Sequence, residues 1–346
     1  MKISICTLPL KTGHQTRGIG FYTKHLLQCL KNNPNTEIQE FSNISEVKKT
    51  DVVHYPFFDL FQRTLPLNKN FPTVITIHDV TPLIFPEHYP PGIKGSINFL
   101  HQKISLNNVK AIITDSETSK IDIEKKLSVN PRKVFSVPLA ISDKCLSIKN
   151  KKILDKIKEK YKLPENFVLY IGSVNWNKNI LNLTQASLDA DMEIVLIGKD
   201  FQSKEDLNHP EMKSYKEFLE KYENNPMVKR LGFVSDEDKN VLITLADSLL
   251  LTSFYEGFGL PILEAQNCGT PVITSNVSSM PEIAGEGALL VDPYNIEEIK
   301  EAIIKIKNDK KLRDDLVKKG FENVKKFTWE KTIEQTLEVY RYASSR

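Results

Sequence analysis

Short β-branched runs alternate with helical stretches twice along this chain, and that alternation admits few folds. In the first half, residues 3–8, 51–54, 73–78, 111–114 and 134–137 read as strands. Between them, residues 18–30 carry Ile19, Tyr22, Leu26, Leu27 and Leu30 at helical spacing, residues 93–106 look helical, and Ser116 is placed to cap a further helix. A lysine-rich helical stretch, 147–162, is closed by Pro164. A second series follows, with strands expected at 167–171, 193–197, 227–230, 247–252, 271–274 and 288–291, and helices at 180–190, 213–222 and 236–245. Residues 296–341 are mostly helix by the same reading. Strands interleaved with helices imply a parallel sheet covered on both faces. At 346 residues the chain is long for one core. The expectation is α/β: two doubly wound domains facing one another across a cleft, which strand C-terminal ends and helix N-termini would line.

Composition narrows the class. No apolar run approaches the ~18 residues of a membrane span, and the first residues, MKISICTLPLKTG, read as a strand and not as a signal peptide. Cys6, Cys29, Cys145 and Cys268 are scattered without a C-x-x-C pair, which suits a reducing cytoplasm and argues against a disulfide framework or zinc site. The net charge of +3 hides an asymmetry. Residues 1–145 carry 18 basic and 12 acidic side chains, whereas the remainder carries 29 and 32. A basic first half suits anionic headgroups, diphosphate-linked acceptors or nucleic acid, and equally a solvated surface that happens to be basic; no nucleic-acid partner is expected.

The stretch FYEGFGLPILEAQNCGTP, residues 254–271, concentrates the chemistry. Gly257 and Gly259 bare the backbone beside Glu256, and Pro261 suits the first turn of a helix expected over 260–267. Amides and dipole at such a helix start favour phosphate. Glu264, one turn further in, would repel phosphate and suits sugar hydroxyls. A diphosphate on amides and hydroxyls on two carboxylates describe a nucleotide sugar. Lys178, in NWNKN after a strand, offers a compact positive charge to a diphosphate leaving group. Arg17-Gly18-Ile19-Gly20 follows the first strand at the wrong spacing for a dinucleotide fingerprint, yet its glycines allow close backbone approach. His78 ends a strand, where this architecture carries catalytic groups; His14 and His54 are weaker candidates. Asp236-Glu237-Asp238 contains a D-x-D pattern but opens an expected helix behind Ser235, where acidic residues are favoured for local reasons. No metal or other cofactor is expected.

Eight segments in order resemble retaining glycosyltransferases of family 4: RGIGFYT, TIHDVTPLIFPEHY, ITDSETSKIDI, YIGSVNWNKNI, VKRLGFVSDEDK, the segment around Glu256 and Glu264, VITSNVSSMPEIAGEGALLVDP and FTWEKTIEQTLEVY. The resemblance implies the GT-B fold, two facing Rossmann-like domains with a cleft between them. Residues 1–145 would form the acceptor-side domain, 146–165 a linker, 166–327 the donor-side domain, and 328–346 a helix packing back on the first. Glu264 would hold the donor ribose and Glu256 would lie near the transferred sugar. Gly257, Phe258, Gly259 and Leu260 would meet sugar and diphosphate, with Gly18 and Gly20 over the phosphates. Arg230 and Val234 would flank the base, and His78 would reach the transferred sugar or the acceptor. The family often places an arginine near the lysine. Ser173 and Asn177 stand there here, leaving Arg17, Lys199 or Arg230 as the second cation. TIHDVTPLIFPEHY resembles bacterial mannosyltransferases of surface polysaccharide assembly. That implies transfer of a hexose, mannose foremost, from a donor such as GDP-mannose to a saccharide or lipid-linked acceptor. The setting would be the cytoplasm or the inner membrane face. A nucleotide-sugar epimerase, another GT-B enzyme, or a non-catalytic nucleotide-sugar-binding partner would share the layout.

Overall fold

The computed structural model describes residues 1–13, 18–142, 144–202, 207 and 210–346. The chain forms two compact units, and the first is built from two chain segments, Met1–Leu139 and Thr328–Arg346. Its strands are β1 (Lys2–Cys6), β2 (Glu37–Phe41), β3 (Val52–Tyr55), β4 (Thr73–Thr76), β5 (Ala111–Thr114) and β6 (Val134–Ser136). All pair in parallel, in the order β2-β1-β3-β4-β5-β6. β3, β4 and β5 are buried at every position, as strands covered on both faces must be. Helices Gly18–Asn32, Glu117–Leu127 and Trp329–Ser344 pack on this sheet. Ser116 caps the second of them by accepting from the Ser119 amide.

The last helix turns Ile333, Leu337, Tyr340 and Ala343 inward. It also completes a buried polar chain. The Tyr340 hydroxyl meets His54 Nδ1 at 2.6 Å, and His54 Nε2 meets Thr76 Oγ1 at 2.8 Å. Full burial drives the His54 pKa down to about 3, aided by the charge of His78, so this ring is neutral and structural.

The second unit spans Ala140–Phe327. Its strands are β7 (Phe167–Ile171), β8 (Glu193–Ile197), β9 (Val228–Gly232), β10 (Ser248–Leu251), β11 (Val272–Ser275) and β12 (Ala288–Val291). They form a second parallel sheet in the order β12-β11-β10-β7-β8-β9. The chain runs outward from β7 to β9, then returns to β10 on the other side of β7. The connections leaving β7 and β10 therefore diverge, and the crevice at such a switch point is where open α/β sheets bind ligands. Glycines end three neighbouring strands there. The Gly172 amide donates to the Ile197 carbonyl and the Gly198 amide to the Gly232 carbonyl, each at 3.0 Å. A Cβ on Gly198 would lie 1.9 Å from the Gly172 oxygen, so only glycine permits this approach.

Residues 146–165, expected as a linker, are compacted with the second unit, and the units divide at Leu139/Ala140, not at 145. Within that stretch, helix Lys151–Tyr161 buries Ile157 and packs on helix Asp236–Leu245. The Tyr161 hydroxyl donates to Asp238 at 2.6 Å, and the Lys160 ammonium pairs with the same carboxylate.

Candidate active site

The loops after β7 and β10 meet at the switch point of the second sheet. After β7 the chain passes Ser173 into a short turn, Trp176–Lys178, and Asn179 takes a left-handed conformation before helix Ile180–Asp189. Two asparagines bolt this loop to the one after β10. Asn177 Nδ2 donates to the Tyr255 carbonyl at 2.9 Å, and the Phe254 amide donates to the Asn177 carbonyl at 2.8 Å. Asn179 Nδ2 reaches the Thr252 and Pro293 carbonyls, both at 2.8 Å. Trp176 stacks on Phe254 with ring centroids 4.6 Å apart.

These braces bring Lys178 Nζ to 2.6 Å from Glu256 Oε2. Ser253 donates to the other carboxylate oxygen at 2.7 Å. Both charged side chains are largely withdrawn from water, where the pair attracts more strongly than on a surface. Ser278 and Ser279 hold the Glu256 carbonyl at 2.6 and 2.8 Å, fixing the turn. Gly259 then adopts φ 102°, a value open to glycine at low cost, and helix Leu260–Cys268 begins. Pro261 falls at its second position, within the first turn where the sequence pattern placed it.

Glu264 sits one turn into that helix and is not an isolated carboxylate. Lys239, from helix Asp236–Leu245, donates to its Oε1 at 2.7 Å. Burial would lower the Lys239 pKa, but Glu264, with Asp236 3.4 Å away, outweighs it and raises it. Below the pair, Cys145 Sγ contacts the Glu264 carbonyl at 3.7 Å and lies 3.9 Å from Cys268 Sγ, both thiols being free. Sequence reading missed Lys239 because it looks like a surface partner of Asp236. Nothing linear signals that positions 239 and 264 converge. Ser253, three residues before Glu256, was the more accessible omission.

In the first unit, His78 follows β4 and places Nδ1 2.7 Å from Asp115 Oδ2. Burial alone would depress the His78 pKa; the Asp115 carboxylate overcomes it and raises it. The two shifts do not mirror one another, since Asp115 is also raised, its own burial outweighing the attraction of the imidazolium. His78 Nε2 is buried with no hydrogen-bond partner among the described residues, and the Pro56 backbone adds a smaller upward push to the His78 pKa. Tyr22 presents its ring edge to His78 at 5.1 Å.

The remaining expected residues divide clearly. Gly257, Phe258, Gly259 and Leu260 lie in the turn and helix start beside Glu256. Ser173 lies in the loop before Lys178, where its carbonyl accepts from Tyr170 at 2.7 Å. Asn177, expected against the donor, is instead buried and its amide braces the two loops. Arg230 lies on β9 with Nη2 3.9 Å from Glu223 Oε1 and beside Tyr215, so it is already engaged as a structural cation. Lys199 is exposed and follows Gly198 at the C-terminal end of β8, the strand beside β7. Val234 is buried just past β9. Gly18 and Gly20 open helix Gly18–Asn32, while Arg17 and His14 lie outside the described residues. The D-x-D carboxylates are spoken for: Asp236 faces Lys239, and Asp238 binds Lys160 and Tyr161. No cluster of three or more candidate metal-ligating side chains occurs among the described residues.

The chain thus carries two Rossmann-like parallel sheets, one with a lysine–carboxylate pair at its switch point and a second carboxylate on the adjoining helix. The sequence profile of the family described as glycosyl transferases group 1 matches residues 152–323. Escherichia coli O-antigen chain mannosyltransferase B is 31% identical over 275 residues, covering 78% of this chain and 70% of that protein. The serotype-specific mannosyltransferase WbdA of Escherichia coli is 24% identical over 283 residues, which cover 78% of this chain but 33% of that protein. Among solved structures, Anabaena Alr3699/HepE in complex with UDP and glucose superposes with a TM-score of 0.75 at 16% identity, covering 98% of each chain. The chain belongs to the group 1 glycosyl transferases. No helix among its described residues is long and apolar enough to cross a membrane.

Proposed function

We propose that this chain transfers mannose, with retention of configuration, from GDP-mannose to a saccharide hydroxyl during bacterial surface polysaccharide assembly. The acceptor in this reading is a lipid-linked oligosaccharide at the inner membrane face. The names of the Escherichia coli relatives support the sugar and the setting. The observation that carries the reading is the 2.6 Å pair of Lys178 and Glu256 at the switch point of the second sheet. Glu256 takes hydroxyls of the sugar, and Glu264, held by Lys239, takes those of the ribose. Val234 lies by the base. His78 meets the transferred sugar or the acceptor.

Breaking the bond to the nucleoside diphosphate places negative charge on the β-phosphate. A preorganised ammonium and helix-start amides in a water-poor site stabilise that charge without reorganising. An ammonium has three donors and Glu256 uses one, so Lys178 serves carboxylate and phosphate together. Of the two described cations weighed beside it, Lys199 fits better than Arg230, which Glu223 engages. No carboxylate in this reading attacks the sugar. The departing diphosphate takes the acceptor's proton on the same face, and no metal is required.

A thermal-shift panel of nucleoside diphosphates and nucleotide sugars tests the donor, because a ligand of the native state raises the melting temperature with its affinity. GDP-mannose is expected to give the largest rise. A larger rise with UDP-glucose would replace the donor, and no rise with any nucleotide sugar would remove the reading. Lys178→Ala is then expected to lower kcat while leaving KM within a few-fold. A change confined to KM contradicts the leaving-group role.

A further inference from the structure

Helix Gly92–Ser105 of the first unit is mounted inside out. Its inward face carries Gly95, Phe99, Gln102 and Ser105. Much of what fastens it is polar. Gln102 Nε2 donates to the Asp59 carbonyl and to Thr64 Oγ1, both at 2.7 Å, while Asn98 Nδ2 donates to the Phe61 carbonyl at 2.9 Å. The apolar stripe points the other way. Ile93, Ile97, Leu100 and Ile104 recur at steps of four, three and four, which align on one helical face, and are 85, 57, 61 and 52% exposed. A soluble protein scatters exposed aliphatic side chains singly; four in register along one helix mark a binding face.

Charge selects the occupant. The helix holds Lys94 and Lys103 and no acidic residue, and 3.6-residue periodicity sets these lysines on opposite flanks of the stripe. Across residues 60–110 the acidic side chains are Asp79 and Glu87 alone, against Arg63, Lys69, Lys94, Lys103 and Lys110. Two copies meeting through this helix would bring lysine to lysine. Its four aliphatic side chains also fall short of the roughly 800 Å² that each partner buries in a stable protein interface. An apolar stripe edged by cations matches a helix lying in the headgroup layer of an anionic bilayer.

We infer that helix Gly92–Ser105 is a docking face for anionic phospholipid, seating Ile93, Ile97, Leu100 and Ile104 among the acyl chains with Lys94 and Lys103 at the phosphates. The inference stands on this helix alone and does not require the proposed donor or acceptor.

Co-sedimentation of the full chain with vesicles tests it. The chain is expected to bind phosphatidylglycerol-rich vesicles, to bind pure phosphatidylcholine weakly, and to detach as salt rises. Ile97→Ser with Leu100→Ser should cut the affinity by about tenfold or more. Lys94→Glu with Lys103→Glu should cut it on the order of 20-fold. Both pairs lie on the surface, so melting temperature and the response to GDP-mannose in the same samples should stay at wild-type values. Equal sedimentation of the serine pair, or no wild-type binding to phosphatidylglycerol, overturns the inference. A concentration-dependent dimer by ultracentrifugation that disappears in the serine pair also overturns it, assigning the face to a second copy.

Discussion

Glu264 meets any ligand with one oxygen already committed to Lys239. That bond fixes the carboxylate's rotamer before binding, so little ordering remains for a donor to impose. Hydrogen bonds to a charged group contribute about 1.5–3 kcal/mol, so Glu264→Ala is expected to weaken donor binding on the order of 10- to 100-fold by calorimetry. Unchanged affinity would separate Glu264 from the ribose. Glu264→Gln, which keeps shape and loses charge, should fall between. His78 and Asp115 offer a second test through pH. The folded His78 pKa lies above the ~6.5 of an unfolded imidazole, because Asp115 outweighs burial. A raised value means that the native state binds the proton more tightly. The resulting stability is complete below about pH 6.5 and drains as pH rises through the folded value. Asp115→Asn should therefore lose most against wild type at or below pH 6.5 and least at alkaline pH, read as melting temperature across pH 6 to about 9. A constant difference over that range would mean that the pair is not charged.

Among the elements, the buried strands were legible because parallel strands covered on both faces are written as continuous apolar runs; β5, β7 and β8 begin and end where the pattern places them, and so does the edge strand β12, whose ALLV is apolar throughout. β2 escaped the sequence reading. It is the edge strand of its sheet, and EIQEF offers only Ile38 and Phe41 to a core. The two glutamates were legible for the opposite reason, since one continuous turn and helix carries both. Lys239, Asn179 and the bracing role of Asn177 were not, because their partners lie between 25 and 114 positions away and no local pattern encodes the meeting. The strand-end glycines fall between these cases. Gly172, Gly198 and Gly232 are visible one by one, but only the sheet shows that they touch in series. Gly198→Ala drives a methyl group against the Gly172 carbonyl, which is backbone and has little freedom to yield. Overpacking of this kind costs about 1–3 kcal/mol or more. The melting temperature of the second unit should fall by roughly 4–10 °C. Gly18→Ala, where no atom lies within 4 Å of the added carbon, should leave the melting temperature of its own unit, the first, unchanged. Equal behaviour of the two variants would show that the strand ends are looser than their geometry.

At the level of the whole molecule, the chain closes on itself. The first unit begins at Met1, passes to the second at Ala140, and is completed only by Thr328–Arg346. The last helix covers β3, β4 and β5 and meets the buried His54 through Tyr340, 286 positions along the chain. A chain ended at Phe327 would expose the apolar surface under Ile333, Leu337, Val339 and Tyr340, and would strip His54 Nδ1 of its partner. Burying four such side chains contributes about 1.5–3 kcal/mol each, comparable with the whole stability of a domain. The second unit keeps all its strands and its Lys178–Glu256 pair in such a chain, because Ala140–Phe327 contains them. Calorimetry of the shortened chain should therefore show the first unit's transition lost and the second unit's retained, with GDP-mannose still shifting what remains. Two intact transitions would mean that the last helix is an appendage. Loss of both would mean that the second unit cannot fold without the first, and the independence drawn from its own sheet and core would fall.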